Sequence, residues 1–209
     1  MVDLAHAANK PLIANVVGFS AEEFAKLIKL AEDSGADIVE LNLSCPNVWG
    51  ETGKQKQILS YHPHLIEQML SHIKSKRPTI PIAVKLSPLP PDLLAEVSKV
   101  IDRSKIVKIV TATNSYPNSL TSTGTKTNDE DMLAGLTGRS LKPISLGMVR
   151  QLRELLPNSI EIIGCGGISS ANDVMDYIKA GANAVQVATA LVDEGNSVFS
   201  KILFQASKL

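Results

Sequence analysis

The strongest constraint on this chain is an alternation. Short apolar runs of strand length are each followed by a stretch with apolar residues at helical spacing. The runs are Lys10 to Val17, Asp37 to Leu43, Pro81 to Ser87, Ile106 to Thr113, Ile160 to Ile163 and Ala184 to Thr189. After the first, Ser20 with Glu23 three residues on reads as a capping box. Phe24, Leu27, Ile28 and Ala31 then recur on one helical face until Gly35 ends the helix. Pro63 to Lys76 carries Leu65, Ile66, Met69, Leu70 and Ile73 in the same spacing. Pro90 and Pro91 open a third helix, Ser145 to Leu156 forms a fourth, and Ser170 and Gly181 bracket a fifth. A last amphipathic helix carries Phe199, Ile202 and Leu203.

Strands this short and apolar suit a parallel sheet covered on both faces. Two junctions repeat as well: Gly35-Ala36-Asp37-Ile38-Val39 and Gly181-Ala182-Asn183-Ala184-Val185 share Gly-Ala-(Asp/Asn)-x-Val. The fold class is therefore α/β, a (β/α)8 TIM barrel, with a doubly wound open sheet as the runner-up. A complete barrel needs eight units and typically about 250 residues. Six units in a single domain of 209 residues imply an incomplete barrel. Its fifth strand ends in Gly166-Gly167 and its sixth in Ala188-Thr189, which offer backbone amides and a hydroxyl. Barrels often hold phosphate after strands seven and eight. On that match the chain holds strands three to eight.

Charge excludes some functions. Lys and Arg together number 21, as do Asp and Glu, so no net field favours nucleic acid or a membrane surface. Aromatics are only 4% of the chain, which counts against base-stacking platforms. No apolar run is long enough to span a bilayer, and the first residues have no signal-peptide pattern. Two cysteines 120 positions apart make no disulfide framework. A reduced, cytoplasmic setting is expected.

Polar residues gather at the strand ends. The second run carries Asn42, Ser44, Cys45 and Asn47, the third Lys85, the fourth Asn114 and Ser115, and the last two Gly166, Gly167 and Thr189. In a parallel α/β fold these ends share the ligand-binding face. Asparagines offer two donors and an acceptor each, which suits a planar, amide-rich ligand. Lys85, in an otherwise apolar strand, needs an anionic or electron-rich ligand, or an ion pair inside the barrel. Cys45 is a base, a nucleophile or a small core residue. Cys165 is read as structural. Gly164-x-Gly166-x-x-Ser169 is a weak dinucleotide pattern, since it comes late and lacks a following acidic strand end. His62 and His64 flank Pro63 as solvated caps, and no histidine–cysteine cluster has metal-site spacing.

At Leu41-Asn42-Leu43-Ser44-Cys45-Pro46-Asn47 the chain resembles the dihydroorotate dehydrogenases, and among them the cytosolic class 1 enzymes of fumarate type. The likeness continues through Val84-Lys85-Leu86-Ser87-Pro88, Asn114-Ser115, Gly135-Leu136-Thr137-Gly138 with Lys142-Pro143, Ile163 to Ile168, and Gln186 to Ala190. The resemblance implies an FMN-containing barrel that oxidises dihydroorotate to orotate in pyrimidine biosynthesis. It also implies fumarate as acceptor and a homodimer. Cys45 would take a proton from C5 of the substrate while hydride passes from C6 to flavin N5. Asn42, Asn47, Asn114 and Ser115 would hold the substrate, with Asn42 also near the flavin. Lys85 would meet the flavin ring. Thr113, Gly135, Gly166, Gly167, Ala188 and Thr189 would complete the flavin site, the last four around its phosphate. The loop from Val48 to Gln57 would be a lid.

The chain departs from the family pattern in three places. The first two strands are missing, and with them a flavin contact, a lysine and a substrate loop. Ala188 replaces a glycine beside the phosphate threonine. Pro117 follows Asn114-Ser115 where glycine is commoner. Two alternatives stand beside the leading reading: an inactive barrel remnant lacking a full site, or another phosphate-binding barrel in which Cys45 and Asn47 are incidental.

Overall fold

The computed structural model describes residues 1–45, 57–120 and 133–208. All six expected strands form and pair in parallel, in the order β1 (Ile13–Val16), β2 (Ile38–Asn42), β3 (Ile82–Leu86), β4 (Val107–Ala112), β7 (Glu161–Cys165), β8 (Ala184–Gln186). Two further strands, β5 (Tyr116–Ser119) and β6 (Ala134–Leu136), form a separate antiparallel pair beyond β4. The connecting helices are α2 (Ala21–Asp33), α3 (Pro63–Ser75), α4 (Pro91–Ser104), α5 (Lys142–Leu155) and α6 (Ala171–Ala180). A short α1 (Val2–Ala7) precedes β1, and α7 (Thr189–Glu194) and α8 (Ser197–Ala206) follow β8.

The register shows why the sheet has two unlike faces. Asn15 lies beside Glu40, Asn42 beside Lys85, Lys85 beside Thr111, and Cys165 beside Gln186. These polar residues share one face. On the other lie Val39, Leu41, Val84, Leu86, Val110 and Ile162, all buried. They pack in one core with Phe24 and Ile28 of α2, Ile66 and Leu70 of α3, Leu94 and Val97 of α4, and Val149 and Leu152 of α5. Every strand thus sends apolar side chains out to the helices and at least one polar side chain inward, beside apolar ones such as Ala83, Ile109 and Ile163.

That inward face is concave. β2 and β8 stand four places apart in the sheet, which would separate them by roughly 19 Å if it were flat. Yet the Gln186 Nε2 of β8 donates to the Glu40 Oε2 of β2 across 3.3 Å. Lys85 of β3 likewise reaches Gln186 at 2.9 Å. Only a strongly curled sheet allows these contacts, so the architecture is an incomplete (β/α)8 barrel with β1 and β8 at its two edges.

The repeated junctions have a common job. The Asp37 amide donates to the carbonyl of Leu12 and its carboxylate accepts from the Leu12 amide, at 3.0 and 2.7 Å. The Asn183 amide donates to the carbonyl of Ile162 and its side-chain oxygen accepts from the Ile162 amide, at 2.7 and 2.9 Å. In each unit the Asx residue clamps the start of the neighbouring strand. Both expected N-caps are also present: Ser20 accepts from the Glu23 amide and Ser170 from the Asp173 amide.

Some expectations need correcting. The last strand stops at Gln186, because the backbone turns at Ala188 and Thr189 already opens α7. The fourth helix begins at Lys142, with Pro143 in its first turn where a missing amide hydrogen costs nothing. In α8 the buried residues are Val198 and Ile202, while Phe199 and Leu203 are exposed. A polar loop is expected over Ser119 to Asp131; β5 ends at its first residue and β6 begins just after it, while 121–132 lie outside the described residues, as does the expected lid apart from Gln57. Among the described residues no helix is long and apolar enough to cross a membrane.

α5 and α6 are joined by charge. Lys142 Nζ reaches Asp173 at 2.5 Å and Asp176 at 2.7 Å. Burial alone would raise the Asp173 carboxyl. Hydrogen bonds from Lys142, the Ser169 amide and the Ser170 hydroxyl outweigh it and hold the group at about 2, against an ordinary 3.8. A carboxyl depressed in the folded state stabilises the fold above its unfolded value and loses that contribution as pH falls through its folded one. Asp173 should therefore supply about 2 kcal/mol at neutral pH, lost between about pH 4 and pH 2. Asp173→Asn is expected to lower urea-unfolding stability at pH 7 by a similar amount and to flatten the acid limb of the stability profile.

Candidate active site

A cavity of about 500 Å³ opens at the carboxyl ends of the parallel strands, large enough for a small organic ligand or cofactor. Cys45 lines it from beyond β2, Lys85 from β3, and Thr113, Asn114 and Ser115 from beyond β4. Gly135 of β6 enters from the added strand pair. Gly166 and Gly167 line it from beyond β7, and Ala188 and Thr189 from beyond β8. Asn42 lies in a smaller adjoining pocket that shares Cys45. Asn47 lies outside the described residues. The remaining expected substrate and flavin residues line the one cavity, and Ser44 is buried against Asn42 and Asn114.

The β2 and β4 ends form an amide cluster. Asn42 Oδ1 accepts from the Ser44 hydroxyl at 2.7 Å and its amide at 3.2 Å. Asn114 Nδ2 donates to the Ser44 hydroxyl at 2.8 Å and reaches Asn42 Oδ1 at 3.4 Å. Asn114 Oδ1 in turn accepts from the Ser115 amide at 2.8 Å. These bonds hold both asparagines before any ligand arrives, which is the preorganisation a binding site needs. Backbone bonds carry the ladder past the strands to support them: the Leu43 amide donates to Lys85, Asn114 to Leu86 and Thr113 to Cys165. Cys45, half-buried, stands beside this cluster with its thiol free of any disulfide.

The opposite wall is a glycine loop. Gly166 and Gly167 have φ of 140° and 67°, conformations that side chains rarely adopt. A Cβ on Gly167 would also fall 2.8 Å from the carbonyl oxygen of Gly138. The loop is anchored from behind, where the buried Tyr177 hydroxyl donates to the Gly166 carbonyl at 2.7 Å. Burial pushes that phenol up to about 12, so it remains a donor at any ordinary pH. Ser145 bonds Thr113 at 2.6 Å and fills the space where a Gly166 side chain would go. The amides of Gly166, Gly167 and Ile168 find no acceptor among the described residues. Thr137 and Thr189 bond each other through their hydroxyls at 2.9 Å beside them. This set of donors suits an anionic group.

Four of the positions marked from the sequence gain detail from their surroundings. Ala188 has a negative φ of −125°, so its methyl needs no glycine-only conformation. Gly135 is required by the protein itself, since a Cβ there would meet the Ser115 hydroxyl at 2.3 Å. Pro117 is buried within β5 and leaves Asn114 and Ser115 at the cavity. Cys165, read as structural, is buried yet lines the cavity. Burial raises its thiol, the charge of Lys85 lowers it and that of Glu40 raises it further. No metal-holding cluster of histidine, cysteine or carboxylate exists among the described residues.

Several site residues were not singled out from sequence. Thr137 and Arg139 line the glycine end. Asp193 and Glu194 border it, with Glu194 paired to Lys201. Gln186 touches the cavity from β8 and bonds Lys85, while Asn15 and Glu40 stand beneath. Alternation along β1, β2 and β8 was the available signal: Asn15, Glu40 and Gln186 are polar residues inside apolar runs, as Lys85 is.

Comparison with known proteins agrees with this geometry. A family model described as dihydroorotate dehydrogenase matches residues 3–208. The catalytic subunit of the NAD(+)-type dihydroorotate dehydrogenase B of Thermoplasma volcanium is 33% identical over 98% of this chain and 64% of its own length. The fumarate-type dihydroorotate dehydrogenase A of Limosilactobacillus reuteri is 33% identical over 86% of this chain and 56% of its own. The chain thus spans under two thirds of the length of these relatives. A crystal structure of the Eimeria tenella enzyme in complex with ferulenol superposes with a TM-score of 0.73 at 22% identity, covering 88% of this chain and 52% of that one. That likeness supports the fold. With the family model running nearly end to end, the chain belongs to the dihydroorotate dehydrogenase family.

Proposed function

We propose that this chain carries the catalytic barrel of a flavin-dependent dihydroorotate dehydrogenase, oxidising dihydroorotate to orotate in pyrimidine biosynthesis. One observation carries the reading. A half-buried thiol and a preorganised asparagine cluster share a cavity with a glycine loop whose amides have no protein acceptor among the described residues. The first pair suits a flat, amide-bearing acid, and the second suits a phosphate.

FMN fits the donors present. Gly166, Gly167, Ala188 and Thr189 would hold its phosphate, with Thr113, Gly135 and Lys85 along the ring. When bound, FMN supplies the acceptor for the hydride that leaves the substrate. Asn42, Asn114 and Ser115 orient the substrate ring through donors and acceptors whose positions are already fixed. Asn47 joins them on sequence likeness alone. Cys45 takes the proton from the substrate carbon next to the one that loses hydride. The base is the thiolate, formed by loss of the thiol proton to solvent before the substrate binds, and it becomes a thiol again as the hydride departs. Lys85 places positive charge beside the ring. Fumarate as acceptor, a homodimer and a cytoplasmic setting belong to the same reading and rest on the sequence likeness.

The test is a pair of measurements on the wild-type chain and Cys45→Ala. FMN fluorescence should be quenched by both proteins with similar affinity. Dihydroorotate turnover should fall at least about a hundredfold in Cys45→Ala, as for loss of a general base. Fumarate and NAD(+) assayed side by side identify the acceptor. Full turnover in Cys45→Ala would remove Cys45 from the chemistry. A wild-type protein that binds FMN but oxidises no dihydroorotate with either acceptor would contradict the activity.

A further inference from the structure

The proposed mechanism uses Lys85 and leaves unexplained what lies beneath it. Glu40 is a carboxylate only 2% exposed, in the interior of the curled sheet. Asn15 of β1 donates to its Oε1 at 2.6 Å, Thr111 of β4 donates to its Oε2, and Gln186 of β8 donates to Oε2 at 3.3 Å. Gln186 then accepts from Lys85 Nζ at 2.9 Å through its other end. Lys85 and Gln186 line the cavity, whereas Glu40 does not.

The chemistry of these groups gives the chain a direction. An ionised carboxylate only accepts and an ammonium only donates. An amide caught between them has one satisfied orientation, with its NH2 toward Glu40 and its oxygen toward Lys85. Glu40 therefore dictates which end of Gln186 faces the lysine. Gln186 is the acceptor for Lys85 among the described residues, so it limits where the ammonium can sit. Burying a carboxylate is costly, and an apolar residue would fill the same space at less cost.

Resting on the flavin reading, we infer that Glu40 and Gln186 are positioning residues: through Gln186, the buried Glu40 fixes the Lys85 ammonium against the flavin ring. Glu40 itself does not line the cavity. Its effect reaches the site only through Lys85, and this separates the inference from a purely structural role. A residue that merely fills the barrel weakens both flavin states equally and does so with or without Lys85.

The experiment is a double-mutant cycle read by flavin binding rather than turnover. Dissociation constants for oxidised FMN and for dithionite-reduced FMN are measured in the wild-type chain, Gln186→Leu, Glu40→Gln, Lys85→Met and the two double variants. Reduced flavin carries the extra negative charge, so the ratio of the two constants reports the placement of the lysine charge. Gln186→Leu should cut the preference for reduced FMN about tenfold, the size of one hydrogen bond to a charged group. That is about 30 mV in the two-electron potential. Glu40→Gln, nearly isosteric, should cut it about threefold and carries the cycle alone if Gln186→Leu fails to fold. Both effects should vanish in the Lys85→Met background. Equal losses for both flavin states, or losses that persist without Lys85, would overturn the inference and leave the flavin reading intact. A wild-type chain that binds FMN in neither state would overturn both.

Discussion

The curl of the sheet is the constraint on which the rest of this structure depends. Strands that are apolar on their outer face and polar on their inner one cannot lie flat without exposing one face or burying the other unsatisfied. Rolling the sheet lets Asn15, Glu40, Thr111, Gln186 and Lys85, drawn from five strands, satisfy one another across the interior. The same roll brings the carboxyl ends together. Cys45, Asn114 and the glycine loop come from β/α units far apart in sequence, and only that convergence makes them neighbours in one cavity.

Around that frame the site divides the work by residue type. Backbone amides at Gly166 and Gly167 offer donors that no side chain could bring so close. Behind them Tyr177, Ser145 and the Lys142–Asp173 pair hold the loop. The asparagines on the far wall are satisfied by one another and by Ser44, so ordering them costs little when a ligand binds. Cys45 stands half-buried beside them, free of any disulfide.

Much of this was legible in the sequence, for identifiable reasons. Apolar periodicity placed all six parallel strands and their main helices, and capping chemistry placed Ser20 and Ser170. The Gly-Ala-Asx junction was visible as a repeat, although its function, an Asx side chain clamping the next strand, needed coordinates. The candidate residues at the strand ends were found because strand ends in this architecture share a face. Glu40 and Gln186 were passed over because a polar residue inside a strand gives no hint of its partner when that partner is 146 positions away. β5 and β6 escaped because they are four and three residues long, too short for alternation to register. In α8 helical spacing groups Phe199, Ile202 and Leu203, and of these tertiary packing buries only Ile202, together with Val198.

The central claim is that one cavity unites a substrate face and a flavin face. Anaerobic mixing of the FMN-loaded chain with dihydroorotate tests it most directly, with the visible flavin absorption followed in time and no acceptor present. The expected result is a single-turnover loss of that absorption with orotate formed in equal amount, while orotate itself produces no loss. Flavin that binds and stays oxidised through a large excess of dihydroorotate would contradict the claim.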